Sequence, residues 1–192
     1  GVCYSVREDL TSRVAILAYG EKGCKKELRP YLDSFYKKYF EALAAWYEAL
    51  HVGAAGGELH DAVMDIIGGE EFGVTLNAGH NTGTEEWSNA ISYKGSRIPV
   101  ADGAFMQADI IAHGENPVRT AICEDAVVVA GEGLRKALLE EYPETYERIQ
   151  ARRKAMKEVL GIRLHEDVLP MSNLNGAYFP FLLNTGLVFA KE

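Results

Sequence analysis

The chain has no run of eighteen apolar residues, so hydropathy excludes a membrane-spanning helix. It has no CxxC pair, and its three cysteines, Cys3, Cys24 and Cys123, are an odd number that cannot close a disulfide framework. A reducing compartment, the cytoplasm, is expected, with buried or surface thiols that carry no chemistry. Basic residues are too few for a nucleic-acid face: the net charge is −8 and Lys and Arg are not gathered into one patch. The most basic segment, "RIQARRKAMKEVLGIR" from Arg148 to Arg163, is helical in pattern and reads as a solvated helix face. There is no internal repeat, and no linker long enough to divide two domains. The first residue is Gly rather than Met and no charged-then-apolar leader follows it, so the chain is expected to begin inside a longer protein or after a residue left by a removed tag.

What is present is ordinary globular material: 192 residues, about half apolar, enough to bury one sizeable core. Residues 2–20 are rich in Val, Ile, Tyr and Thr and predict two short strands or one bent one. Leu28, Leu32, Phe35, Tyr39, Leu43, Trp46 and Leu50 recur every three or four residues, which predicts a helix from about Lys25 to His51 with Pro30 near its start. Phe40 and Tyr47 fall off that stripe and leave room for a partner surface, such as a dimer face. A second helix, about Glu58 to Ile67, buries Leu59 and Val63 and stops at Gly68–Gly69. Between Phe72 and Ala130, "GVTLNAG", "AISYKGSRIPV", "AFMQADIIA" and "RTAICEDAVVVA" predict short strands of a curved antiparallel sheet. Another helical stretch runs from about Gly131 to Leu160, broken at Pro143, with Leu134, Leu138, Leu139 and Tyr142 on its buried side. The tail, "LPMSNLNGAYFPFLLNTGLVFAKE", reads as loop and then strand. One α+β domain over residues 1–192 is expected.

Four polar residues interrupt this scaffold in places where chemistry is conceivable: Asp9 in "REDLTSR", His80 in "NAGHNTG", Asp109 in "MQADIIA" and Glu124 in "ICEDAVVV". Asp109 and Glu124 each break an apolar run. A carboxylate inside a half-buried strand is costly unless it is paired, hydrogen-bonded or bound to a metal. Strand-end carboxylates bonded to backbone N–H groups would meet that demand, and so would an O/N ligand set for Mn, Co, Zn or Fe. Asp9 reads equally as an acid beside Arg13 in a surface pair, and His80 as a turn histidine. Asp125 points to the opposite sheet face from Glu124 and reads as structural. Trp87 reads as a core aromatic or as one wall of a substrate pocket. His51, His60, His113 and His165 read as surface histidines.

The order of these pieces resembles the pita-bread metallopeptidases, the superfamily of aminopeptidase P, prolidase and methionine aminopeptidase, and within it the Xaa-Pro branch. "EDLTSR", two helices, "AGHNTG", "ADGAFMQADII" and "RTAICEDAVVVA" follow one another as that family's aspartate strand, helices, metal-histidine turn, acidic strand and final "R-x-E-D" strand do. The resemblance implies a pita-bread fold with a curved antiparallel sheet and two pairs of helices, of which this chain is the larger C-terminal part. It implies two divalent metal ions held by Asp9, His80, Asp109 and Glu124. A peptide substrate cut at an N-terminal Xaa-Pro bond is implied, with Asp109 moving protons between water and leaving amine. A homodimer is compatible.

Three departures stand against the family pattern. The first aspartate of the family's pair, and a substrate-facing histidine, would fall upstream of Gly1. Trp87 stands where the family has its second histidine, and an indole cannot accept a proton there. Asp109 stands where glutamate is usual, one methylene shorter. A non-catalytic binding or assembly protein with a decayed site is therefore a rival reading. A metal-free amidinohydrolase similar to creatinase is a third, which would not need Asp9 and Glu124 together.

Overall fold

The computed structural model describes residues 2–6, 9–76, 78–82 and 90–191, with side chains from residue 11 onward. The fold is mixed α/β, with antiparallel sheets and four α-helices among the described residues. No helix among them is long and apolar enough to cross a membrane.

Strands β1 (Val2–Val6) and β2 (Asp9–Val14) are two short strands, one of the two readings of this segment, and pair antiparallel. Later come β3 (His80–Asn81), β4 (Ala104–Gln107), β5 (Ile110–Gly114), β6 (Arg119–Glu124), β7 (Ala126–Val129) and β8 (Val168–Pro170). They build two four-stranded antiparallel sheets, ordered β1-β2-β6-β5 and β3-β4-β7-β8. "AFMQADIIA" and "RTAICEDAVVVA" are thus not single strands. Each gives one strand to either sheet, and the paired ribbon changes sheet at Ala108–Asp109 on one arm and at Asp125 on the other. Ala108 N still donates to Asp125 O at 2.9 Å, so the arms stay paired through the bend.

Helix α1 (Lys38–Ala49) follows a more widely wound turn, Leu32–Lys37, and begins later than the expected Lys25, beyond Pro30, which cannot donate to a preceding turn. It is buried all round rather than along one stripe: Tyr39, Phe40, Leu43, Trp46 and Tyr47 are all inside. Phe40 and Tyr47 therefore offer no partner surface. Phe40 stacks on Phe189 of the tail, ring centroids 5.9 Å apart, and Tyr47 reaches into the space between sheet and tail. Tyr39 caps the arrangement by donating to Ile110 O at 2.6 Å.

Helix α2 (Gly56–Ile67) packs on α1 and starts two residues before the expected Glu58. Gly56 and Gly57 lie so close to residues 91–96 that a Cβ on either would strike Ile91 O or Ser96 O. That contact explains why "AISYKGSRIPV" is no strand: its backbone caps α2, with Ser96 O and Ile98 O accepting from Gly57 N and Gly56 N. "GVTLNAG" is likewise not a strand among its described residues.

Helices α3 (Glu132–Glu141) and α4 (Pro143–Glu158) divide at Pro143, which takes the first helical position of α4. The expected buried side of α3 is not buried: Leu134, Leu139 and Tyr142 are exposed, and Leu138 alone packs against the small cluster of Ala130, Ile149 and Leu169. α3 touches the body mainly through α4, so it has no second surface to bury against. The basic segment of α4 is not wholly solvated, because Arg153 is buried beneath it. The tail reverses its expected order, with β8 first and loop after. Phe181 pairs in isolation with Ile16, and Tyr178 donates to Val14 O at 2.8 Å, which lashes the tail to β2.

Candidate functional site

The ribbon that changes sheet carries two of the four residues singled out by sequence. Gln107 pairs with Ala126 on one side of the bend and Ile110 with Cys123 on the other. Counting inward from both sides sets Asp109 opposite Glu124 and Ala108 opposite Asp125. Ser12 of β2 is the neighbour of Glu124 on its other side, so Asp109, Glu124 and Ser12 form one row across three adjacent strand positions. Facing cross-strand positions share a sheet face.

His80 joins this row from the other sheet. It pairs with Gln107, and Gln107 and Asp109, two apart, share a face by the strand alternation. His80 Nε2 accordingly lies 3.5 Å from Asp109 Oδ2, with both side chains buried. The turn that delivers His80 is fixed from below. Gly79 adopts φ 80°, and a Cβ there would meet Trp46 Nε1 at 2.7 Å and Gln107 O at 2.8 Å. The Trp46 indole donates to Ala78 O at 2.9 Å and holds the turn against α1. The imidazole Nδ1 is 3.0 Å from Asn81 O, a contact in which Nδ1 is the donor, so that in the neutral ring Nε2 is the acceptor or ligand atom.

Asp109 is only half satisfied. Its Oδ2 faces His80, and Oδ1 is buried without a hydrogen-bond partner. A protonated His80 would compensate Oδ2 and still leave Oδ1 bare. Such an oxygen costs about 1–3 kcal/mol, more for a charged group, unless something outside the chain meets it. A neutral imidazole nitrogen and a carboxylate oxygen are the donor set of a divalent transition metal, so the residues present fit such an ion. Glu124 is half-buried at the end of β6. Asp9 opens β2, but its side chain lies outside the described residues, and so does the whole of Trp87. Among the described residues no three His, Cys, Asp or Glu side chains converge as a metal cluster. The described part of the expected ligand set is therefore the His80–Asp109 pair with Glu124 opposite.

Sequence reasoning missed the most heavily hydrogen-bonded side chain among the described residues. Arg13 is buried rather than at the surface. Its Nη2 donates to Asp125 Oδ1 at 2.7 Å and to Leu174 O at 2.6 Å. Its Nη1 and Nε reach Ser12 O, Glu124 O and Ala177 O. Burial alone would lower the guanidinium; the Asp125 charge overrides it and holds Arg13 above its ordinary value. Asp125 Oδ2 also accepts from Tyr47 Oη at 2.9 Å, Gly176 N at 2.7 Å and Cys123 Sγ at 3.3 Å. Burial, then the Asp125 charge, push the Tyr47 hydroxyl well up; burial does the same to the Cys123 thiol. Both stay protonated. Asp125 is the structural acid on the opposite face, as its neighbours in sequence imply, and through Glu124 O and Ser12 O its partner Arg13 grips the strands behind the site. The signal in sequence was weak: Arg13 shares its strand with Asp9, and Asp125 directly follows Glu124.

His51 and His60 are half-buried, His113 and His165 exposed, and none of them approaches this site.

No family of protein sequences matches the chain, and no curated protein sequence does. Among solved structures it is similar to dipeptidase PepE from Mycobacterium ulcerans (TM-score 0.48, 17% identity, covering 63% of this chain and 31% of that one). It is similar to a dipeptidase from Pyrococcus horikoshii OT3 (TM-score 0.48, 16% identity, 63% and 33%). Methionine aminopeptidase from Rickettsia prowazekii is a further match (TM-score 0.42, 13% identity, 53% and 50%). The chain spans between 31% and 50% of the length of these three proteins.

Proposed function

We propose that the chain carries the larger part of a pita-bread metallopeptidase site, acting on a peptide at an N-terminal Xaa-Pro bond. The observation that carries the reading is Asp109 Oδ1, a buried carboxylate oxygen with no partner, on a residue whose other oxygen faces His80 and whose cross-strand neighbour is Glu124. His80, Asp109, Glu124 and Asp9 would hold two divalent ions. When bound, such ions polarise a scissile carbonyl and bring a shared water toward hydroxide at neutral pH. The chain's own residues do the rest. His80 donates from Nδ1 to Asn81 O, which in the neutral ring places the ligand role on Nε2. Asp109 Oδ1 takes a proton from water and passes it to the leaving amine. Arg13 and Asp125 keep the strands behind these groups in register.

Elemental analysis of the purified protein, loaded with Mn or Co and then dialysed, tests the reading. Retained metal that disappears in His80→Ala and in Asp109→Ala is expected, with retention falling as pH is lowered and protons compete for the ligands. Cleavage of Xaa-Pro dipeptides would then be assayed. No retained metal would sink the peptidase reading. The rival, a binding or assembly module on the same scaffold, is favoured by the absence of a third converging ligand among the described residues, and it expects that negative result.

A further inference from the structure

A pocket of about 400 Å³ opens between α3, α4 and the turn that precedes β8. It is lined by four cationic side chains, Arg135, Arg153, Lys154 and Lys157, and two carboxylates, Glu158 and Glu166, an excess of positive charge on a protein whose net charge is −8. Two of them are answered within the chain: Arg135 pairs with Asp167 and Glu166, and Lys154 with Glu158. Arg153 and Lys157 have no carboxylate within ion-pair reach among the described residues. Arg153 is the telling one. It is 5% exposed, its Nη1 donates to His165 O and Val168 O, and the charges of Glu166 and Asp167 offset it only from beyond ion-pair reach. The other buried guanidinium without a carboxylate, Arg119, lies over the Tyr31 and Phe35 rings; Arg153 has no such aromatic face. Burial, and then the like charge of Arg135, push Arg153 down from the ordinary arginine value. A buried cation left in this state is costly, and an anion seated against it removes the cost. The two unanswered charges match a dianion, and a guanidinium fork with a lysine beside it is the usual donor set for a phosphate group. The pocket is far larger than a bare phosphate, and Tyr146 and Gln150 supply one aromatic and one amide wall for an organic body.

We propose that this pocket binds a small phosphomonoester, its phosphate held by Arg153 and Lys157 and its organic part against Tyr146. The site is independent of the His80–Asp109 site and does not rest on the peptidase reading.

Isothermal titration calorimetry with phenyl phosphate tests it, with phenol, inorganic phosphate and citrate as comparison probes. One saturable site is expected for phenyl phosphate, weakened by added salt. Lys157→Gln, an exposed change that leaves the fold alone, should weaken it about tenfold. Arg153→Lys should weaken it similarly, because the charge remains while the fork is lost. Phenol should not bind, and inorganic phosphate and citrate should bind more weakly. Absence of saturable binding, or an affinity unchanged in Lys157→Gln, overturns the site. Inorganic phosphate binding as tightly as phenyl phosphate overturns the organic ligand, and citrate binding more tightly overturns the phosphate.

Discussion

Replacing Asp125 by alanine should be among the most damaging single changes in this protein. The substitution strands Arg13, a cation buried on every side, without its counter-charge. It also removes the acceptor of the Tyr47 hydroxyl and of Gly176 N, at 2.9 and 2.7 Å. Breaking a buried pair by deleting one partner costs about 3–5 kcal/mol, a large part of the stability of a typical domain. With a urea slope of about 2 kcal/mol per molar, the unfolding midpoint should fall by roughly 2 M. Equilibrium urea unfolding followed by tryptophan fluorescence reads this directly, since Trp46 is buried in α1. A second readout comes from Cys123, whose thiol is buried and bonded to Asp125. In a Cys3→Ser, Cys24→Ser background, a loss of 3 kcal/mol should speed its reaction with a thiol reagent by on the order of a hundredfold. The double variant Arg13→Met, Asp125→Leu should cost well under the sum of the single changes, because it removes both charges together. A loss below about 1 kcal/mol for Asp125→Ala, or strict additivity in the double variant, would refute the claim that this pair is a coupled buried unit.

Gly79→Ala should destabilise by at least about 2 kcal/mol, from the positive φ and from Cβ contacts under 3 Å with Trp46 and Gln107, and it should loosen metal retention without touching a ligand atom. A thermal scan showing a change under about 0.5 kcal/mol would contradict this. Glu48 gives a pH prediction. Burial would raise its carboxyl, but the donors Lys191 and Arg163 outweigh burial and hold it below the ordinary glutamate range. Its folded pKa is thus below its unfolded one, so its contribution is present above the unfolded pKa and is lost as pH falls through the folded one. Glu48→Gln should cost about 0.5 kcal/mol at pH 7 after solvent screening, and the gap to the parent should close from roughly pH 5 downward. A gap as wide at pH 3 as at pH 7 would reject the linkage.

The parts of the fold legible in sequence are those in which one periodicity holds for many residues. The hairpin of β1 and β2, the aromatic core around Trp46 and the break at Pro143 all follow from local pattern and local stereochemistry. Where sequence reading failed, a distant partner decided. Residues 91–100 look like a strand until α2 is seen to need their carbonyls, and Leu134, Leu139 and Tyr142 look like a core face until α3 is seen to lack a second neighbour. Phe40 looks free until the tail folds back onto it. The site divides in the same way. His80 and Asp109 could be picked out because a polar residue breaks an apolar or glycine-flanked run. Their mutual approach depends on a register between β3 and β4 that no local signal encodes.

Asp109 and Asp125 sharpen that distinction, because in sequence they are nearly the same object. Each interrupts an apolar strand, each falls at the point where the ribbon leaves one sheet for the other, and each is buried. Their partners differ completely. Asp125 faces α1 and the tail, where Arg13, Tyr47, Cys123 and Gly176 all donate to its two oxygens. Asp109 faces the other way, toward His80, and keeps one oxygen bare. A fold that needed only to turn the ribbon could have used an uncharged residue at both bends at no such cost. Asp125 repays its burial by clamping the tail to the strands. Among the described residues Asp109 meets only His80, at one oxygen, and its other oxygen is left to a group beyond them. That asymmetry, more than any motif, is why the functional search belongs on the Asp109 face of the ribbon.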